Sequence, residues 1–358
     1  VDLSVGTPVD PVPPAVRAAL SAAADAPGYP ATHGTGQLRE AAAGWLERRH
    51  AVIVDPAAVL PVIGTKEFIA ALPALLGCGR GDTVVHPELA YPTYDIGARL
   101  AGAQAVPADG LSALGPERVR LVWVNSPANP TGRVLPVAHL RKMADWARER
   151  GAVLAADECY LDLGWDAQPG SILHPQVSGG SHHGLLAVYS LSKRSNMAGY
   201  RAGFVTGDPA LVAGLLEVRR HAGMMMPGPV QAAMTAALAD DTHADEQRAI
   251  YAARRTRLRA ALEVAGWLTE HSEAGLYLWV AKAGLDCWAS VQALAEAGIL
   301  VAPGEFYGPA GRRHVRVALT ATDERIDAAV ARLTGLRDGP PTKMATGDEA
   351  GDVAGAAP

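Results

Sequence analysis

The segment YSLSKRSNMAGYRAG, residues 189–203, gathers the side chains best able to do covalent chemistry. A strand-like apolar run ends at Ser190. Lys193 stands three residues on, among small and polar residues, and Arg201 follows eight positions later. A lysine amine attacks an aldehyde only where it is held so that it can lose its proton. Ser190 and Arg201 suit a phosphate, one as a hydroxyl donor and the other as a planar guanidinium fork. In isolation the same residues read equally well as a loop lysine and a surface arginine.

Other segments add candidates. NSPANPTG (125–132) follows the apolar run LVWV. It is either a plain turn or a loop that points Asn129 into a cleft at the carboxyl end of a parallel strand, where open α/β sheets bind ligands. Asp157 comes directly after AVLAA. It is a helix cap, a satisfied core acid, or the partner of a protonated pyridine nitrogen, with Tyr160 placed to donate to a ring oxygen. Gly64, Thr65 and Lys66 follow a strand and open a helix, where free backbone N–H groups favour an anion. Tyr91 in YPTY is a core tyrosine or a stacking platform for a flat ring. Arg316 lies in HVRVAL between apolar neighbours, where an arginine needs a partner; a carboxylate is a bidentate one.

The elements that must position these groups follow from hydrophobic periodicity. VLPVI, DTVV, LVWVN, AVLAA and LLAVYS are apolar throughout and alternate with helical stretches. That predicts a mostly parallel sheet covered on both faces. In PVAHLRKMADWARERG, Val137, Leu140, Ala144 and Ala147 share one helical face. GTKEFIAALPALLG is helical too, with Pro73 removing a backbone donor. Beyond Asp208 the chain is helical to about residue 266, with Leu258, Ala261, Leu262 and Ala265 on one side. The strand GLYLWVA, the helix WASVQALAEAG, the strand RHVRVALT and a last helix burying Ile326, Ala329, Val330 and Leu333 follow, an α+β module.

With 358 residues the chain exceeds one compact core. Apolar residues at 49%, charged residues at 19% and a net charge of −5 are those of a soluble globular protein and give no reason to expect nucleic acid or membrane as a partner. No uninterrupted apolar run reaches about 18 residues. The opening VDLSVGTPVD lacks the basic and apolar regions of a secretory signal. Three scattered cysteines fit reduced thiols in a cytoplasm, with neither a disulfide framework nor a metal site. Residues 337–358 are rich in Gly, Pro and Ala and predict a disordered tail.

Taken together, GTP (6–8), GYP (28–30), GTKE (64–67), YPTY (91–94), NSPANPTG, DECY (157–160), SLSK…GYR (190–201) and RHVRVALT (313–320) resemble, in order, the class I/II aminotransferases of pyridoxal-phosphate (PLP) fold type I. The resemblance runs from about Leu3 to Leu333. It implies an α/β fold: a large PLP-binding domain over 31–235, with a mostly parallel central sheet flanked by helices, and a smaller α+β domain from 1–30 and 236–336. It implies Lys193 as the Schiff-base lysine and proton shuttle, Asp157 on the ring nitrogen, and Asn129 and Tyr160 on the ring oxygen. It implies Tyr91 on the ring face, and Thr65, Lys66, Ser190 and Arg201 at the phosphate. Arg316 would take the substrate carboxylate, with Gly6 allowing close backbone approach. Tyr29 would reach the phosphate of a neighbouring subunit, so a homodimer is expected.

The overall wording is similar to the actinobacterial N-succinyldiaminopimelate aminotransferases, with glutamate as amino donor. Such a substrate carries extra carboxylates, for which Lys66 and Arg194 are the candidate cations. The opening of the sequence departs from the family by lacking its usual amino-terminal segment, which bears on closure over the substrate. An aspartate, alanine or aromatic aminotransferase, or a C–S β-lyase, shares the same cofactor residues. A sensor half of a transcription regulator would need a helix-turn-helix ahead of GTP, where only five residues stand.

Overall fold

The computed structural model describes residues 1–110, 115 and 118–335. The stretch 337–358, expected to be a tail, lies outside the described residues. One sheet is built from β1 (Val59–Ile63), β2 (Thr83–His86), β3 (Gln104–Pro107), β4 (Val119–Asn125), β5 (Val153–Asp157), β6 (Leu185–Ser190) and β7 (Ala202–Gly207). Its order is β1-β7-β6-β5-β4-β2-β3, and β7 alone runs against its neighbours. Two of these strands escape the apolar pattern. β3 is short and partly exposed at the edge, and β7, AGFVTG, is diluted by glycine.

Alternate residues of the central strands split between two cores. Leu121, Trp123, Ala155, Leu186 and Val188 pack on one face with Phe68, Leu72 and Tyr94. Val122, Val124, Leu154, Ala156, Leu185 and Ala187 pack on the other with Leu140, Ala144 and Ala147. This is the period of two expected of strands covered on both sides. On the helix Val137–Glu149, Val137 stays exposed at the first position, and Met143 is buried instead. Pro73 sits inside the helix Thr65–Leu75, near its end.

The second sheet, β8 (Leu268–Glu270), β9 (Tyr277–Ala281), β10 (Ala302–Pro303) and β11 (His314–Ala318), is antiparallel in the order β10-β11-β9-β8. The helices Thr242–Val264, Cys287–Glu296 and Asp323–Gly335 share its core through Leu258, Leu294 and Ile326. The amino-terminal stretch serves both cores: Leu3 belongs to the second and Val16 to the first. The Leu3 amide donates to Leu300 O, and Leu3 O accepts from the Ala318 amide, both at 2.8 Å.

Register brings the chemistry to one end of the strands of the large sheet. β4 and β5 end together, with Asn125 paired to Asp157; Asp157 is paired to Val188, close to the end of β6. Because β7 returns antiparallel, with Gly203 opposite Ser190, Arg201 stands beside the end of β6. β1 pairs Ile63 with Ala202, so Gly64 and Thr65 emerge at the same place.

Candidate active site

Lys193 lies on the short helix Leu191–Arg194 that follows Ser190 directly. Its Nζ donates to the carbonyl oxygen of Gly6. Gly64 precedes the helix Thr65–Leu75 at φ 73°, a left-handed position that glycine fills without strain. No side chain among the described residues caps that helix start, so its first amides remain available to an anion. Phe68 and Leu72, fully buried, anchor the helix at about 1.5–3 kcal/mol each. A methyl group at Gly64 would lie 2.2 Å from Arg201 Nη2, and one at Gly203 would lie 3.1 Å from Thr65 Cγ2. The two glycines therefore open a cradle walled by Arg201, Thr65 and Ser190.

Asp157 occupies the other end of the site. Its Oδ2 accepts from the Tyr94 hydroxyl at 2.8 Å and its Oδ1 from the Cys159 amide at 3.2 Å. Burial pushes this carboxyl above its ordinary value, against the pull of those hydrogen bonds. A cation at that end would offset the cost of burying the charge. Asn125 ties the loops together. Its Nδ2 donates to Asp157 O at 2.8 Å and Pro127 O at 3.0 Å, and its Oδ1 accepts from the Asn129 amide at 2.7 Å.

Arg316 reaches the site from β11. Its Nη1 donates to Asn129 Oδ1 at 3.0 Å and its Nη2 to Ser4 O at 2.7 Å. The guanidinium carbon lies 3.9 Å from the Tyr277 ring centroid and 4.9 Å from that of Tyr307. Its Nε is buried without a partner among the described residues. The guanidinium thus keeps donors beyond those the protein uses, as a carboxylate ligand would require.

A cavity of about 400 Å³ joins these groups, within the range of small-molecule sites. Every site residue expected from sequence lines it except Tyr29 and Arg194. Tyr29 is 94% exposed, away from the cleft. Arg194 corrects the expectation of a distal cation. It is buried, donating through Nε to Asp162 and through Nη1 to Ala237 O, both at 2.8 Å. Successive helical residues point about 100° apart, so the neighbour of Lys193 faces elsewhere. Lys66 is exposed at the rim, its ammonium 5.8 Å from the Tyr91 ring centroid. Sequence reasoning missed Tyr94, Asn125 and Tyr277. The first two lie inside motifs already singled out, whereas Tyr277 looks like any strand residue.

The family model for aminotransferase class I and II matches residues 1–333. The chain belongs to that family. The aminotransferase is 63% identical over 334 residues to the 4-dedimethylamino-4-oxo-anhydrotetracycline transaminase of Streptomyces rimosus, covering 93% of each chain. It is 32% identical to the LL-diaminopimelate aminotransferase of Dehalococcoides mccartyi, covering 94% of this chain and 91% of the relative. Among solved structures, a "probable N-succinyldiaminopimelate aminotransferase" of Thermus thermophilus superposes with a TM-score of 0.83 at 30% identity, covering 94% of both chains. The aminotransferase is PLP-dependent, with the fold expected of that family. The residues present fit the cofactor: an anion cradle at Gly64 and Gly203, a buried carboxyl group at Asp157, and Lys193 lining the same cavity.

Proposed function

We propose that this aminotransferase moves an amino group between glutamate and a carboxylate-bearing oxo acid, N-succinyl-2-amino-6-oxopimelate, forming N-succinyl-LL-diaminopimelate. The observation that carries the reading is Arg316, a buried guanidinium that lines the cavity holding Lys193 and has one N–H without a partner among the described residues. Lys66 at the rim supplies a cation for a distal carboxylate of such a substrate. The two diaminopimelate relatives named above support the class.

PLP, when bound, supplies an aldehyde and a ring that accepts electrons from the substrate carbon. The protein's residues do the rest. Thr65, Ser190 and Arg201 hold the phosphate, Asp157 keeps the ring nitrogen protonated, and Tyr160 and Asn129 donate to the ring oxygen. Tyr91 covers the ring face. Arg316 orients the carboxylate, and Nζ of Lys193 takes and returns the proton at the substrate α-carbon. Tyr29 of each subunit reaches the phosphate site of the other in a homodimer. The reading includes a cytoplasmic location. None of the helices among the described residues is long and apolar enough to cross a membrane.

A second reading rests on the 63% identity to the Streptomyces rimosus transaminase: an acceptor that is a ring ketone. A half-reaction panel tests the first reading. The holoenzyme is mixed with glutamate, N-succinyl-LL-diaminopimelate, aspartate, alanine, aromatic amino acids and cystathionine, and the visible spectrum is followed. Fast bleaching by N-succinyl-LL-diaminopimelate supports the first reading. Bleaching by glutamate with none by the diaminopimelate derivative overturns it, and ammonia and pyruvate from cystathionine would mark a lyase.

A further inference from the structure

Tyr277, on β9 of the second sheet, places its hydroxyl 3.3 Å from that of Tyr160. Its ring carries the Arg316 guanidinium 3.9 Å from the centroid. The segment bearing Gly6 lies flat against it, since a methyl at Gly6 would come 2.0 Å from Tyr277 Oη. The phenol is thus enclosed, with Tyr160 as its hydrogen-bond partner. The titratable groups around it are Arg316, Lys193, Tyr160 and Cys159, with Tyr251 and Tyr307 farther out.

Two phenols sharing one hydrogen bond are not equivalent here. Burial raises the pKa of both, but Arg316 and Lys193 draw that of Tyr277 below its ordinary value while Tyr160 stays well above. Among the described residues the Tyr277 hydroxyl has Tyr160 as its one acceptor, so it gives its proton to the shared bond. The single O–H of Tyr160 is then left to point elsewhere, and accepting one hydrogen bond strengthens the one it donates.

We propose that Tyr277 is a positioning residue of the cofactor site: its hydroxyl donates to Tyr160 and so turns the Tyr160 proton toward the cofactor's ring oxygen. This rests on the reading of Tyr160 given above. A donor at the ring oxygen competes with the proton of the lysine–cofactor linkage, so losing the donor raises the pH at which that linkage titrates.

The test is the pH titration of visible absorbance for the holoenzyme, Tyr277→Phe, Tyr160→Phe and the double variant. Tyr277→Phe keeps the ring under Arg316 and removes only the hydroxyl. Losing one net hydrogen bond should move the midpoint alkaline by roughly 0.5 to 1 unit. Tyr160→Phe should move it the same way and further, and adding Tyr277→Phe to it should change nothing more. If Tyr160→Phe shifts the midpoint and Tyr277→Phe does not, the proposal is wrong while the role of Tyr160 stands. A weaker KM for oxo acid with an unmoved midpoint reduces Tyr277 to a platform for Arg316 and also overturns it. If Tyr160→Phe itself leaves the midpoint in place, the reading of Tyr160 fails and takes the proposal with it.

Discussion

Arg316 donates to the side-chain oxygen of Asn129 at 3.0 Å, joining β11 of one sheet to the loop after β4 of the other. The group proposed to grip the substrate carboxylate and the group proposed to touch the ring oxygen are therefore set by one contact across two sheets. Arg316→Lys keeps the charge and loses the fork. We expect kcat/KM for the oxo acid to fall roughly ten- to hundredfold, the size of a lost charged hydrogen bond. Single-turnover rates with the oxo acid measure it, and an unchanged value would refute the carboxylate role.

Lys193→Ala should abolish the yellow absorbance of the holoenzyme and cut transamination by at least about a thousandfold. Its side chain is only partly buried and donates to Gly6 O, so the urea midpoint should move little. Borohydride reduction followed by peptide mapping should place the cofactor on residue 193. Retained transamination would contradict the assignment.

Asn125→Ala leaves the Asn129 amide and the Asp157 carbonyl without their buried partner. Each orphaned group costs on the order of 1–3 kcal/mol. The expected result is a lower urea midpoint together with weaker cofactor retention on dialysis. A loss of stability with unaltered cofactor affinity would mean that Asn125 serves the fold alone.

Burial pushes the Glu158 carboxyl up to about 7, although the Ile172 amide donates to it at 2.7 Å. Its folded value is above the ordinary 4.5, so the native state holds this proton more tightly than the unfolded chain. The contribution is fully present below pH 4.5 and is lost as pH rises toward 7. Glu158→Gln should remove that loss. Its urea midpoint, relative to the parent, should rise between pH 4.5 and 7 and then level off. A constant difference across that range would show that Glu158 titrates normally.

The large sheet was legible in the sequence because strands covered on both faces are apolar along most of their length, as β4 to β6 are apart from Arg120 and their polar last residues. β7 was not, since its glycines at 203 and 207 serve close packing and carry no hydrophobic signal. Lys193, Asp157 and Arg316 were legible because a charged residue beside an apolar strand demands a reason. Arg194 misled for the complementary cause: the sequence shows its charge and leaves Asp162, Asp241 and the Ala237 carbonyl unseen. Tyr277 gave no sign, because an aromatic residue in a buried strand is ordinary core.

Ser4 and Arg316 meet although 312 residues separate them in the chain. The cradle from Gly64 to Gly203, by contrast, is encoded within a single continuous stretch. As the polypeptide leaves the ribosome, every residue of the cradle emerges before Arg316 has been synthesised. A chain cut before β11 would carry every residue of that cradle and lack the arginine proposed to grip the carboxylate.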